Sequence, residues 1–181
     1  MRLKNLIPTE SKLQLYKAAI LPHLTYCHLT WHFCKASDRR KLERIQERGL
    51  RAVFKDKHSS YEKLLAKADI PSLYNRRLQD IAIFMYKIKH ELLPQRLCNL
   101  FQLDSGSYYL RKREFVQPRF SLVTYGKHSL RYLGPKLWND LTPRIRYQPS
   151  LKQFKRVIRN QDLTAPAANV SNCRGCKLCR E

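Results

Sequence analysis

The chain has 181 residues, 43% of them hydrophobic, with 36 Lys and Arg against 14 Asp and Glu and a formal net charge of +22. That apolar content excludes a disordered basic tail and permits a core, in one domain or two small ones, while the cation excess selects nucleic acid or an anionic surface as the partner class. There is no run of about 18 apolar residues to span a bilayer, and the N-terminal MRLKNLIPTE lacks the apolar stretch and cleavage site of a secretory signal, so the expected location is cytosolic or nuclear.

Thr9 reads as an N-cap, and Leu13, Leu15, Tyr16, Ala18, Ala19, Ile20 and Leu21 then run apolar nearly all round, which predicts a buried helix. Pro22 predicts a kink or break near Leu21, followed by a second helical piece through Leu24, Tyr26, Leu29, Trp31 and Phe33. His28 and His32 lie one turn apart on it. No third ligand completes a zinc spacing, so packing is the expectation for both.

Ser37 to Lys55, SDRRKLERIQERGLRAVFK, carries the strongest pattern. At about 100° per residue, Leu42, Ile45, Gly49, Leu50 and Val53 fall on one side, and Arg40, Lys41, Arg44, Arg48, Arg51 and Lys55 on the other. Arg40, Arg44 and Arg48 repeat at i, i+4, where like charges cost an isolated helix about 0.2–0.5 kcal/mol per pair. Phosphates relieve such repulsion, so these six cations form a candidate nucleic-acid-binding face. A merely solvated face is the plainer alternative.

Ser59 and Glu62 have capping-box spacing and predict a short helix over Leu64, Leu65 and Ala68. After Pro71 the residues Leu73, Leu78, Ile81, Met85 and Ile88 predict a long helix ending near His90 and Glu91, and Leu97, Leu100 and Phe101 a further short one. Asp104 to Ser107 is a loop, beyond which the composition turns aromatic and basic. Tyr108, Tyr109, Phe115, Val116, Phe120, Leu122, Val123 and Tyr125 predict a short, imperfect strand pair, with Pro118 restricting either strand to an edge. The interleaved Arg111, Lys112, Arg113 and Arg119 are further candidate nucleic-acid contacts; the aromatics are core first and stacking surfaces second. A helix is expected after Gly134-Pro135, stopped by Pro143, and Ser150 should cap a last one through Leu151, Phe154, Val157 and Ile158, with Lys152, Lys155, Arg156 and Arg159 opposite. The fold expected is mainly α, a helical bundle with a short β-hairpin in the C-terminal half.

Several strings resemble a known family in this order: LPHLTYCHLTW (21–31), KLERIQERGLR (41–51), YGKHSLRYLGPKLWNDLTPRI (125–145) and SLKQFK (150–155). Together they resemble the region downstream of the catalytic domain in reverse transcriptases of non-LTR, jockey-like retrotransposons. The resemblance implies thumb-like helices in 1–58 and the C-terminal region of the element's polyprotein beyond them; the residue patterns divide the latter into a helical segment in 59–105, a basic aromatic C-terminal region with short strands and two helices in 106–162, and a flexible Cys-containing tail in 163–181. It also implies RNA, DNA or an RNA–DNA hybrid as partner, and polymerase domains upstream. Polymerisation in the family uses paired aspartates that hold two metal ions. The seven Asp of this chain, at 38, 56, 69, 80, 104, 140 and 162, include no adjacent pair. A non-catalytic fragment is therefore expected, with a helical protein-interaction module or a functionless relic of a mobile element as the alternatives.

In a reducing compartment the 6 Cys should be thiols or metal ligands. Cys173, Cys176 and Cys179 stand at the spacing of half a zinc site, and zinc there is the one cofactor the sequence suggests. A fourth ligand would have to come from Cys98, a distant His or elsewhere. A reduced, metal-free tail is the other reading.

Overall fold

Residues 7–32, 34–104, 113–119, 126 and 129–164 are described by a computed structural model. Their elements are α1 (Thr9–Leu15), running through a π-helical turn (Tyr16–Ile20) into α2 (Leu21–Thr25), then α3 (Ala36–Phe54), α4 (Tyr61–Ala68), α5 (Leu73–Lys89), α6 (Gln95–Cys98), α7 (Leu130–Asp140), α8 (Pro143–Arg146) and α9 (Leu151–Arg159). The protein is mainly α. No helix among the described residues is long and apolar enough to cross a membrane.

The long helix α5 organises the rest because it is apolar on more than one side. Leu78, Ile81, Ala82 and Met85 are buried against Leu133, Leu137 and Trp138 of α7 and Phe154 and Ile158 of α9. Its first residue, Leu73, belongs to a second cluster with Tyr16, Leu21, Leu50, Val53, Leu64 and Ala68. Burying each large apolar side chain is worth about 1.5–3 kcal/mol, so the second cluster, through Leu50 and Val53, sets where α3 can lie.

Polar contacts fix the join. The Glu43 carboxylate of α3 accepts from the backbone N–H of Leu73 at 3.3 Å and Tyr74 at 2.8 Å, and from the Tyr61 hydroxyl at 2.6 Å. An acid against the free N–H groups of a helix start is favourable, and the Ser72 hydroxyl caps the same turn by accepting from Asn75 N–H. On another side of α5, the Gln79 side-chain amide donates to the carbonyls of Arg159 and Gln161, and Asn75 Oδ1 accepts from Leu163 N–H.

Several expectations are corrected. Thr9 is not the cap: Pro8 holds that place, and Thr9 begins α1. The first helical rod is not buried all round, since Leu15 is 61% exposed and Ile20 45%, and Tyr16 and Leu21 alone of its residues are buried. Pro22 does not break it. The π turn shifts the ladder so that Leu21 N–H reaches the Tyr16 carbonyl five residues back. The expected second helical piece is, beyond Thr25, instead a run of turns over 26–32, in which Cys27 has a φ of 47°. Ser60, not Ser59, caps α4, because Ser59 N–H is held by the Asp56 carboxylate. Helix α7 begins at Leu130, before Gly134-Pro135, and Pro143 starts α8.

The expected β-hairpin is absent from the described residues, which show one antiparallel bridge, Leu103 to Phe115. Asn139 also holds this segment: its Oδ1 accepts from Glu114 and Phe115 N–H, and its Nδ2 donates to the Phe115 carbonyl. Phe33, Tyr108, Tyr109, Arg111, Lys112, Phe120, Leu122, Val123, Tyr125 and the cysteines Cys173, Cys176 and Cys179 lie outside the described residues.

Candidate nucleic-acid interface

Helix α3 has one anchored face and one cationic face, although the anchor differs in detail from the sequence pattern. Leu50 and Val53 are buried, but Ile45 is 46% exposed and Gln46 fills the buried place beside them. Gln46 Nε2 donates to the Pro71 carbonyl, and its Oε1 lies 2.9 Å from the Tyr61 hydroxyl, whose single proton it shares with Glu43. Burial and the nearby Glu43 carboxylate raise the pKa of the Tyr61 hydroxyl. Gly49 is where Tyr16 presses against the helix; a Cβ built on it would stand 2.6 Å from the ring.

The six predicted cations divide into two groups. Arg51 is half-buried and engaged, donating to Glu47 at 2.6 Å and to the carbonyls of Asp56 and Lys57, so it closes the C-terminal end of α3. Lys41 pairs with Asp38 at 3.1 Å, an exposed contact of the kind worth about 0–1 kcal/mol. Arg40, Arg44, Arg48 and Lys55 are exposed, with Arg40 Nε donating to the Ala36 carbonyl at 3.4 Å. Arg44 and Arg48, one turn apart, have no hydrogen bond or ion pair among the described residues.

Arg113 and Arg119 are also exposed but belong to another part of the molecule. Between them Phe115 is fully buried, edge-on to Trp138 at 6.0 Å, in the cluster that does not contain α3. It is core and not a stacking surface. Glu114 fastens the same segment: one carboxylate oxygen accepts from Lys89 at 2.6 Å and Trp138 Nε1 at 2.9 Å, the other from Arg146 at 3.4 Å. Burial alone would raise its pKa; the Lys89, Trp138 and Tyr147 hydrogen bonds outweigh that and hold it below the usual range.

Compared with known proteins, the chain matches no family model, no curated protein and no solved structure. Among the described residues no group of three His, Cys, Asp or Glu is placed to hold a metal ion. His28 instead meets Asp80, Nε2 to Oδ2, at 2.9 Å, and His32 stacks on Tyr74.

Sequence reasoning overlooked the charged residues of α5. Asp80 holds Arg159 at 2.6 Å as well as His28, and these partners keep its carboxyl below the usual range although burial opposes them. Arg77 is 1% exposed, none of its three guanidinium nitrogens has a hydrogen-bond partner among the described residues, and it lies over the rings of Trp31 and Tyr74 at 5.4 and 5.7 Å. Burial lowers its pKa. The spacing Arg76, Asp80, Lys87 was the available signal, obscured by the stronger apolar period of the same helix.

Proposed function

We propose that this chain binds the sugar-phosphate backbone of RNA, DNA or an RNA–DNA hybrid through the outer face of α3, as a non-catalytic piece of the kind of polymerase its strings resemble. The observation that carries this is the pair Arg44 and Arg48: exposed, adjacent and unpartnered among the described residues, on a helix whose other side is buried. Two like charges kept this close without an acid gain from a phosphate, and such contacts give affinity without reading sequence. The set narrows to Arg44 and Arg48, because Arg40, Lys41, Arg51 and Lys55 already have partners within the protein.

Fluorescence anisotropy with a labelled RNA–DNA hybrid tests it. Arg44→Glu with Arg48→Glu should weaken binding roughly tenfold or more, and the double Lys variant, which keeps the charge, should largely retain it. Unchanged affinity in the folded Glu variant refutes the proposal. The apolar side of the first rod, with Leu15 and Ile20 exposed, supports a second reading as a protein-interaction module. That reading requires self-association or capture of a partner that survives the same charge reversal.

A further inference from the structure

Arg76, Asp80, Ile83, Phe84 and Lys87 recur at helical spacing along α5 and line an open trough of about 490 Å³, walled on its other side by residues from Thr25 to Thr30. A second depression of about 490 Å³, between the ends of α4 and α9, is lined by Arg159 and again by Arg76. The two meet at Arg76. From Arg76 to Lys87 the helix rises roughly 16 Å at about 1.5 Å per residue, a length that suits a few extended nucleotides.

The chemistry of the trough is graded along it. The Arg76 side chain is half-buried and has no hydrogen bond or ion pair among the described residues, although the Asp80 carboxylate attracts it and Arg159 repels it, and the Lys87 side chain at the other end has none either. Asp80, the acid that would repel a phosphate, is engaged by His28 and Arg159. Between the cations the floor is Ile83 and the half-buried ring of Phe84. Cations at each end of an aromatic floor match a single strand, whose unpaired bases need a stacking surface, better than a duplex, whose bases are already stacked. A lone phosphate would need the cations but not the ring.

Resting on the nucleic-acid reading above, we propose that this trough takes a short single-stranded stretch of RNA or DNA, with phosphates at Arg76 and Lys87 and a base against Phe84. It is a site apart from the α3 face, since no residue of α3 lines it.

The experiment measures affinity of the full chain for labelled oligo-U, oligo-dT and a blunt RNA–DNA hybrid, with helicity checked by circular dichroism. Lys87→Glu and Phe84→Leu should each weaken both single strands roughly fivefold or more and change hybrid affinity less than about twofold; Lys87→Gln replaces the Glu variant if that does not fold. A preference for oligo-U over oligo-dT assigns the ligand as RNA, the reverse as DNA. Single-strand affinity unchanged in Lys87→Glu overturns the trough, and loss with Lys87→Glu but not Phe84→Leu overturns the base contact, reducing the site to phosphate binding. If the trough variants bind like the parent while Arg44→Glu with Arg48→Glu does not, the trough falls and the α3 face stands. If neither set changes binding, both fall.

Discussion

Replacing Gly49 with alanine sets two ordinary effects against each other. Alanine is favoured over glycine inside a helix by about 1 kcal/mol. Its Cβ, however, would lie 2.6 Å from Cε2 and 3.3 Å from Cδ2 of Tyr16, and that ring is 1% exposed, closed in by the cluster of Leu21, Leu50, Val53 and Leu64. Forcing a methyl into a packed core costs about 1–3 kcal/mol, and here the contact is short enough to use the upper part of that range. Gly49→Ala should therefore lose about 1–2 kcal/mol, read by urea unfolding followed through helix circular dichroism. Tyr16→Leu removes the atoms in contact, so in that background the same substitution should gain stability. If Gly49→Ala is stabilising with Tyr16 present, the π-helical turn and α3 do not pack as described.

Other consequences concern buried charge. Glu114→Gln removes the carboxylate shared by Lys89 and Arg146 and should cost about 2–4 kcal/mol in thermal or urea unfolding; a change under about 0.5 kcal/mol would contradict the hub. Arg77→Met replaces a buried guanidinium without a hydrogen bond among the described residues by an apolar chain of similar length and should raise the unfolding free energy by about 1 kcal/mol or more, whereas a clear loss would show that its ring contacts outweigh desolvation. Asp80 and Glu114 have folded pKa values below their unfolded ones, so the stability they provide is complete above about pH 4.5 and declines as pH falls through the folded values. Tyr16, pushed up to about 12 by burial and then by Glu43, works in the opposite direction: its contribution is complete below about pH 10 and declines as pH rises toward the folded value. A urea midpoint that stays flat from neutral pH into either limb contradicts the corresponding group.

Helical periodicity made α3, α5 and α9 legible, because each carries a continuous apolar stripe, and Ser150 announced the start of α9, where its hydroxyl accepts from Gln153 N–H. Capping and breaking residues were less informative, since their role depends on partners far along the chain. Ser59 lost its cap to Asp56, and Pro22 was absorbed by a π turn. Most of the expected strand pair lies outside the described residues; in the part that is described, no local pattern shows that an Asn139 side chain will satisfy the backbone of Glu114 and Phe115. At the candidate interface the cationic face of α3 could be read directly, but its division could not. That Arg51 closes the helix end while Arg44 and Arg48 stay open depends on where the chain turns after Phe54, with Lys55 left-handed at a φ of 54°. The charges of α5 were hidden because burial of Arg77 and pairing of Asp80 are tertiary facts.

The most direct measurement is the slope of log affinity against log salt for an RNA–DNA hybrid, compared between the parent chain and Arg44→Gln with Arg48→Gln. If each arginine neutralises one phosphate, the slope should become shallower by about 2, close to one counterion per contact. An unchanged slope, with the double variant folded, would mean that these two guanidinium groups do not touch the backbone and that the cationic face of α3 is only solvated.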